Sequence, residues 1–142
     1  MSSTQHGSPL DLVTRLAAAT NAHDLDALVD CFAADYVNET PAHPARGFTG
    51  RDQVRRNWQQ IFAGVPDLRA TVLRAAEAGN LAWSEWEMSG RRKDGAAHLM
   101  RGVIVFGVLD GRADWARFYL EQVVDDGHDV NAVVEVAVGS TP

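Results

Sequence analysis

Two glutamates two residues apart, Glu85 and Glu87, lie in the stretch Leu81 to Gly90, LAWSEWEMSG. In a strand that spacing puts both carboxylates on one face, roughly 7 Å apart. Trp83 shares their face, while Trp86 and Met88 take the other. In an apolar cavity the two carboxylates would raise each other's pKa, through like charge and through desolvation. One of them would then work as a general acid or base near neutral pH. The competing reading leaves both solvated at a sheet edge, or paired with Arg101 or Arg117.

Other residues are candidates by position. Glu39 ends a short extended segment before Pro41, as a third acid or as an exposed loop-side glutamate. His43, between Pro41 and Pro44, would border a cavity mouth or simply face solvent. Trp58, Ile61 and Phe62 share a helix face with Val54 and should look toward an interior ligand. On the later strands Met100, Ile104 and Phe118 have one parity, and Arg101, Arg117 and Tyr119 the other. If the even face is the cavity wall, both arginines face outward, where they would pair with acids across a dimer interface. Trp83 joins the expected ligand contacts. The five histidines, His6, His23, His43, His98 and His128, are scattered without metal-ligand spacing, so no metal is expected. Cys31, the lone cysteine, sits in a helical pattern and lacks a neighbour that would activate it.

These residues need elements to hold them. Ser8-Pro9 is a helix start, and Leu12, Val13 and Leu16 recur at helical spacing to about Thr20. Asp24 caps a second helix with the stripe Leu25, Leu28, Val29 and Phe32, ended by Ala33-Ala34-Asp35. Tyr36 to Thr40 is extended, and Pro41 to Gly50 is a loop. A third helix runs from about Arg51 to Gly64. Then the period changes to two, with strands over 68–78, 81–91, 97–109 and 112–124. Gly79-Asn80, Asp94-Gly95 and Asp110-Gly111 supply the hairpin turns. The third of these strands is apolar on both faces after Gly102, so both sides of the sheet should be covered, by helices and by a second subunit. Helices set against such a meander make an α+β fold. Residues 1–8 read as a disordered polar tail and 9–126 as the domain. Residues 127–142 form a C-terminal extension rich in valine, either a lid helix over a pocket or an added strand.

At 142 residues this is one domain with room for a full core. The net charge of −6 argues against a nucleic-acid partner, since phosphates need a basic face. No apolar run spans a membrane, and the N-terminus lacks a signal-peptide pattern. With one cysteine, the cytoplasm is the expected compartment.

From Pro9 to Val124 the chain resembles the SnoaL-like group of the nuclear transport factor 2-like superfamily. The resemblance rests on NAHDLDALVDCFAADYVNETP, on Gly50-Arg51-Asp52 after a Pro-rich loop, and on Asp110-Gly111-Arg112 before a last strand with Arg117-Phe118-Tyr119. It implies a cone-shaped barrel, in which a curved antiparallel sheet wraps around N-terminal helices and a hydrophobic cavity. Dimerisation through the outer sheet face is implied too. The superfamily's isomerases, cyclases, epoxide hydrolases, dehydratases and binders share one scaffold.

Its known constellations do not transfer intact. Where steroid-isomerase-like members place a Tyr, a base Asp and a protonated acid, this chain has about Leu16, Thr40 and only apolar residues over 103–109. Where epoxide-hydrolase-like members use an Arg and an Asp two apart plus a later Asp, it has Glu85, Glu87 and Phe118. That second comparison is what places Glu85 and Glu87 inside. The polyketide-cyclase members use an Asp or His at the cavity wall. The expectation is therefore a homodimer that binds a small apolar metabolite and needs no cofactor. It would be an acid/base isomerase or cyclase working through Glu85, Glu87 and Glu39, or else a non-catalytic binder or dimeric scaffold.

Overall fold

A computed structural model describes residues 7–139. Of the polar tail expected over 1–8, residues 1–6 lie outside the described residues, as do 140–142 of the C-terminal extension.

The first helix, α1 (Pro9–Ala22), opens on a reciprocal cap. The Asp11 N–H donates to Ser8 Oγ at 3.2 Å, and the Ser8 N–H donates to Asp11 Oδ2 at 3.0 Å. The helix closes on His23, whose left-handed φ of 53° turns the chain into α2 (Leu25–Asp30). Asn21 ties α1 to the sheet. Its Nδ2 donates to Ala70 O at 2.9 Å, and its Oδ1 accepts from Ala70 N at 2.7 Å.

The second helix is shorter than its apolar stripe predicts. Phe32, expected as its last buried turn, instead begins strand β1 (Phe32–Glu39). The reason is nonlocal: Ala113 N donates to Cys31 O, and Phe32 then pairs with Ala113. Strand β2 (Phe48–Thr49) follows a 3₁₀ turn at Pro44–Arg46, and α3 (Arg51–Gly64) comes next. The meander is β3 (Arg69–Ala78), β4 (Leu81–Arg91), β5 (Ala97–Leu109) and β6 (Arg112–Gln122). The strand order is β2-β1-β6-β5-β4-β3, in an unclosed sheet. Every pairing is antiparallel except β1 with β6, which is parallel.

The core lies between the helices and one face of this sheet. That face is the even-numbered one on β4 and on β5: Ala82, Trp86, Met88, Ile104 and Phe106 are all buried. Trp86 is 0% exposed, and its indole N–H finds a partner in Ser84 Oγ at 2.7 Å. Ser84 in turn donates to Ile104 O at 2.7 Å, so this buried polar pair is satisfied. Gly102 stands opposite Trp86, with φ +149°. A Cβ there would lie 2.0 Å from the Tyr119 carbonyl oxygen, a backbone clash that no rotamer relieves.

The valine-rich segment forms a helix, α4 (Val130–Ala137), rather than an added strand. Asp129 caps it by accepting from Ala132 N at 3.0 Å, which offsets the poor helix propensity of its valines. Its valines are exposed.

Candidate functional site

Between α3 and the inner face of the sheet lies a cavity of about 280 Å³. Strands β1, β5 and β6 contribute alternate residues, β2 and β4 one residue each, and α3 contributes one face. The apolar wall includes Phe48, Trp58, Ile61, Met88, Met100 and Phe118. The polar groups are Tyr36, Asn38, Thr40, Arg46, Asn57 and His98. None of these is a carboxylate. Arg46 is the one permanent charge, and its exposure places it at the mouth.

Strand alternation selects most of these groups. Tyr36, Asn38 and Thr40 are successive even residues of β1, or follow it directly. Tyr36 is buried, and its hydroxyl donates to Asn38 Oδ1 at 2.7 Å. Burial drives the Tyr36 phenol far above its ordinary pKa, so it stays a donor. With Oδ1 committed, Asn38 has its amide N–H groups left to offer. His98 is two residues before Met100 on β5, and both line the cavity.

Of the residues expected to contact ligand, Trp58, Ile61, Met100 and Phe118 line the cavity. The others do not. Ile104 is buried in the core beyond it. Phe62 turns aside, stacked on His23 with ring centroids 4.5 Å apart. His43 Nε2 sits 3.2 Å from Glu121 Oε1, outside the lining. Trp83 is 55% exposed on the opposite face of the sheet.

The three expected acids are also outside. Glu87 lies opposite Arg101 on β5, and its Oε2 accepts from Arg101 Nε at 2.7 Å. Glu85 lies opposite Arg74 on β3, with Oε1 3.2 Å from its Nε. Glu39 lies beside Arg117 and accepts from its Nε at 2.9 Å. Directly paired residues share a face. The side chains of all three pairs are solvent-accessible, which puts them on the outer surface, and two adjacent carboxylates turned into the apolar interior would have carried a large desolvation cost. The alternative pairing of Glu87 with Arg101 is the arrangement observed.

Within the extension, none of the described residues 127–139 is among the cavity-lining residues. Cys31 is buried, and burial raises its thiol pKa against the opposing pull of Arg15, which leaves it a poor nucleophile. Among the described residues no three His, Cys, Asp or Glu side chains gather as metal ligands would, and no helix is long and apolar enough to cross a membrane.

Tyr36, Asn38, Arg46, Asn57 and His98 are the site residues that sequence reasoning missed. The signal for His98 was available, since it has the parity of Met100 on one strand. Asn57 had a signal too, three residues after Val54 and four before Ile61 on the inward face of α3; Arg46 had none, being placed by a loop.

The family described as SnoaL-like domain matches residues 13–116 of this chain. No curated protein matches it. Several solved structures share the fold. One is a hypothetical protein from Catenulispora acidiphila with a ketosteroid isomerase-like fold, in complex with trimethylamine. It is 24% identical, with 79% of this chain and 86% of that chain covered and a TM-score of 0.65. Another is wild-type IdmH from Streptomyces antibioticus, described as a candidate polyketide cyclase. It is 23% identical over 91% of this chain and 98% of that one, with a TM-score of 0.67. A loop-truncated IdmH variant is 26% identical over 80% of this chain and 92% of that one, also with a TM-score of 0.67.

Proposed function

The chain belongs to the SnoaL-like domain family, and from that premise we propose that it binds a small, largely apolar, carbonyl-bearing metabolite and moves a proton on it without a cofactor. The reaction would be an isomerisation or a cyclisation. The observation that carries this reading is a mostly apolar cavity with one histidine in its wall. A volume of about 280 Å³ suits a one- or two-ring ligand, since drug-sized sites start at roughly 300 Å³.

In this reading His98 takes a proton from the carbon next to the ligand carbonyl. Histidine is the side-chain type suited to that exchange near neutral pH. The negative charge passes to the carbonyl oxygen, which accepts from the free amide N–H of Asn38. Tyr36 holds Asn38 in that orientation. The proton returns from His98 to a second carbon in an isomerisation, or to the new alkoxide when the carbanion closes a ring. The description of IdmH as a candidate cyclase supports the second version.

The test uses the α-protons of 2-tetralone, followed by NMR in D2O. The protein should accelerate their exchange, and His98→Gln should remove about a hundredfold or more of that rate with an unchanged melting temperature. Undiminished exchange in His98→Gln would sink the assignment. A second reading, a non-catalytic binder, is favoured by one fact: none of Glu39, Glu85 and Glu87 lines the cavity. It requires 2-tetralone to bind without exchange.

The outer sheet face supports the homodimer expected from the sequence. Trp83, Tyr119 and Val37 are exposed there, among the Glu39–Arg117, Glu85–Arg74 and Glu87–Arg101 pairs. Exposed aromatics ringed by charge have the composition of an interface. A lone buried cysteine supports a cytoplasmic location.

A further inference from the structure

The proposed ligand has an apolar body, and the mouth of the cavity indicates what its other end carries. Arg46 is placed there by the 3₁₀ turn Pro44–Arg46. Its nearest acid is Glu121, with Nη1 and Oε2 3.8 Å apart, beyond hydrogen-bond length. Glu121 is held instead by His43, at 3.2 Å. Among the described residues the Arg46 guanidinium donates no hydrogen bond. The outer-face arginines differ: Arg101 and Arg117 donate to their carboxylates at 2.7 and 2.9 Å. So the arginine in the cavity wall keeps its donors uncommitted, while those two on the far side of the sheet are committed.

Resting on the cavity reading above, we infer that Arg46 is the specificity residue for a carboxylate at the polar end of the ligand. A guanidinium offers a planar fork of donors that matches a carboxylate in two parallel hydrogen bonds. The rest of the lining agrees. It has no acid to repel an anion, and Asn38 has amide donors to spare. The net charge of −6 opposes an anion only at long range. At physiological salt, screening acts over about 8 Å, so Arg46 at contact outweighs it. Glu121 is the internal competitor, the one anion near enough to draw Arg46 away when the ligand is absent.

The experiment compares 2-naphthoate with 2-naphthamide, alike in shape and different in charge, by calorimetry on the full chain. The native protein should bind the carboxylate about tenfold tighter or more, the usual scale for a charge-assisted contact. Arg46→Met should lose that preference and still bind the amide. Glu121→Gln should bind the carboxylate several-fold tighter and leave the amide unchanged. Equal binding of both probes by the native chain, or a preference that survives Arg46→Met, overturns the role of Arg46 and leaves the cavity reading intact. If neither probe binds, the cavity reading falls and this inference with it.

Discussion

The two faces of strand β4 carry similar amounts of chemistry and put it to different use. Ala82, Ser84, Trp86 and Met88 face the helices, where water is excluded and each polar atom needs a partner inside the protein. Trp83, Glu85 and Glu87 face away, where Glu85 takes an arginine from β3 and Glu87 one from β5. The face with the more suggestive residues lacks the cavity, and the plainer face has it. Reactive side chains in solvent are ordinary. The uncommitted polar groups in an apolar enclosure are the better guide to a site.

The largest expected effect is on the inner face. Trp86→Ala should cost about 3–5 kcal/mol, read as a lower midpoint in urea, because it empties a fully buried indole site. A loss under about 1 kcal/mol would mean that the inner face is not the core. On the outer face, Trp83→Glu should leave the fold intact and convert a dimer to a monomer in light scattering at micromolar concentration. A native chain that is already monomeric there breaks the outer-face half of the comparison.

Tyr36→Phe should cost about 1 kcal/mol, the usual worth of one hydrogen bond. It should also change the alkaline limb of stability. Burial raises the folded phenol, so above pH of about 10 the unfolded chain loses that proton first. The native state then holds more protons, and stability falls as pH rises. Tyr36→Phe should flatten that fall without abolishing it, since the Cys31 thiol is raised by burial in the same direction. An unchanged alkaline slope would place Tyr36 in contact with water. Smallest of all, Glu85→Gln and Glu87→Gln should each stay within about 0.5 kcal/mol of the parent and leave 2-tetralone exchange unaltered, as exposed ion pairs do. Lost exchange in either would return the outer face to the chemistry.

Much of the fold was legible because its signals are local. The cap at Ser8, the hairpin turns and the period-two strands each depend on a few adjacent residues, and β4 and β5 have the bounds expected for them. Local spacing puts Phe32 in α2, but its place in β1 depends on Ala113, far along the chain. The acids were misplaced for a related reason. An Arg101 that faces outward and a Glu87 that faces inward are incompatible once the hairpin pairs them. The parity of β5 already implied that of β4, and the likeness to epoxide-hydrolase-like members pointed the other way.

By itself, then, the sequence determined the first and third helices, the four meander strands, the α+β class and the presence of an apolar interior, because propensity, turns and periodicity act over a few residues. It also narrowed each strand to two faces. Which face became the wall was a tertiary decision. Burying Trp86 and Met88 against the helices gains apolar contact, while burying Glu85 and Glu87 would strand two charges. Only the folded chain brings the Tyr36–Asn38 face of β1 together with Arg46, Asn57 and His98 in one cavity, since these come from four elements that local rules position without reference to one another.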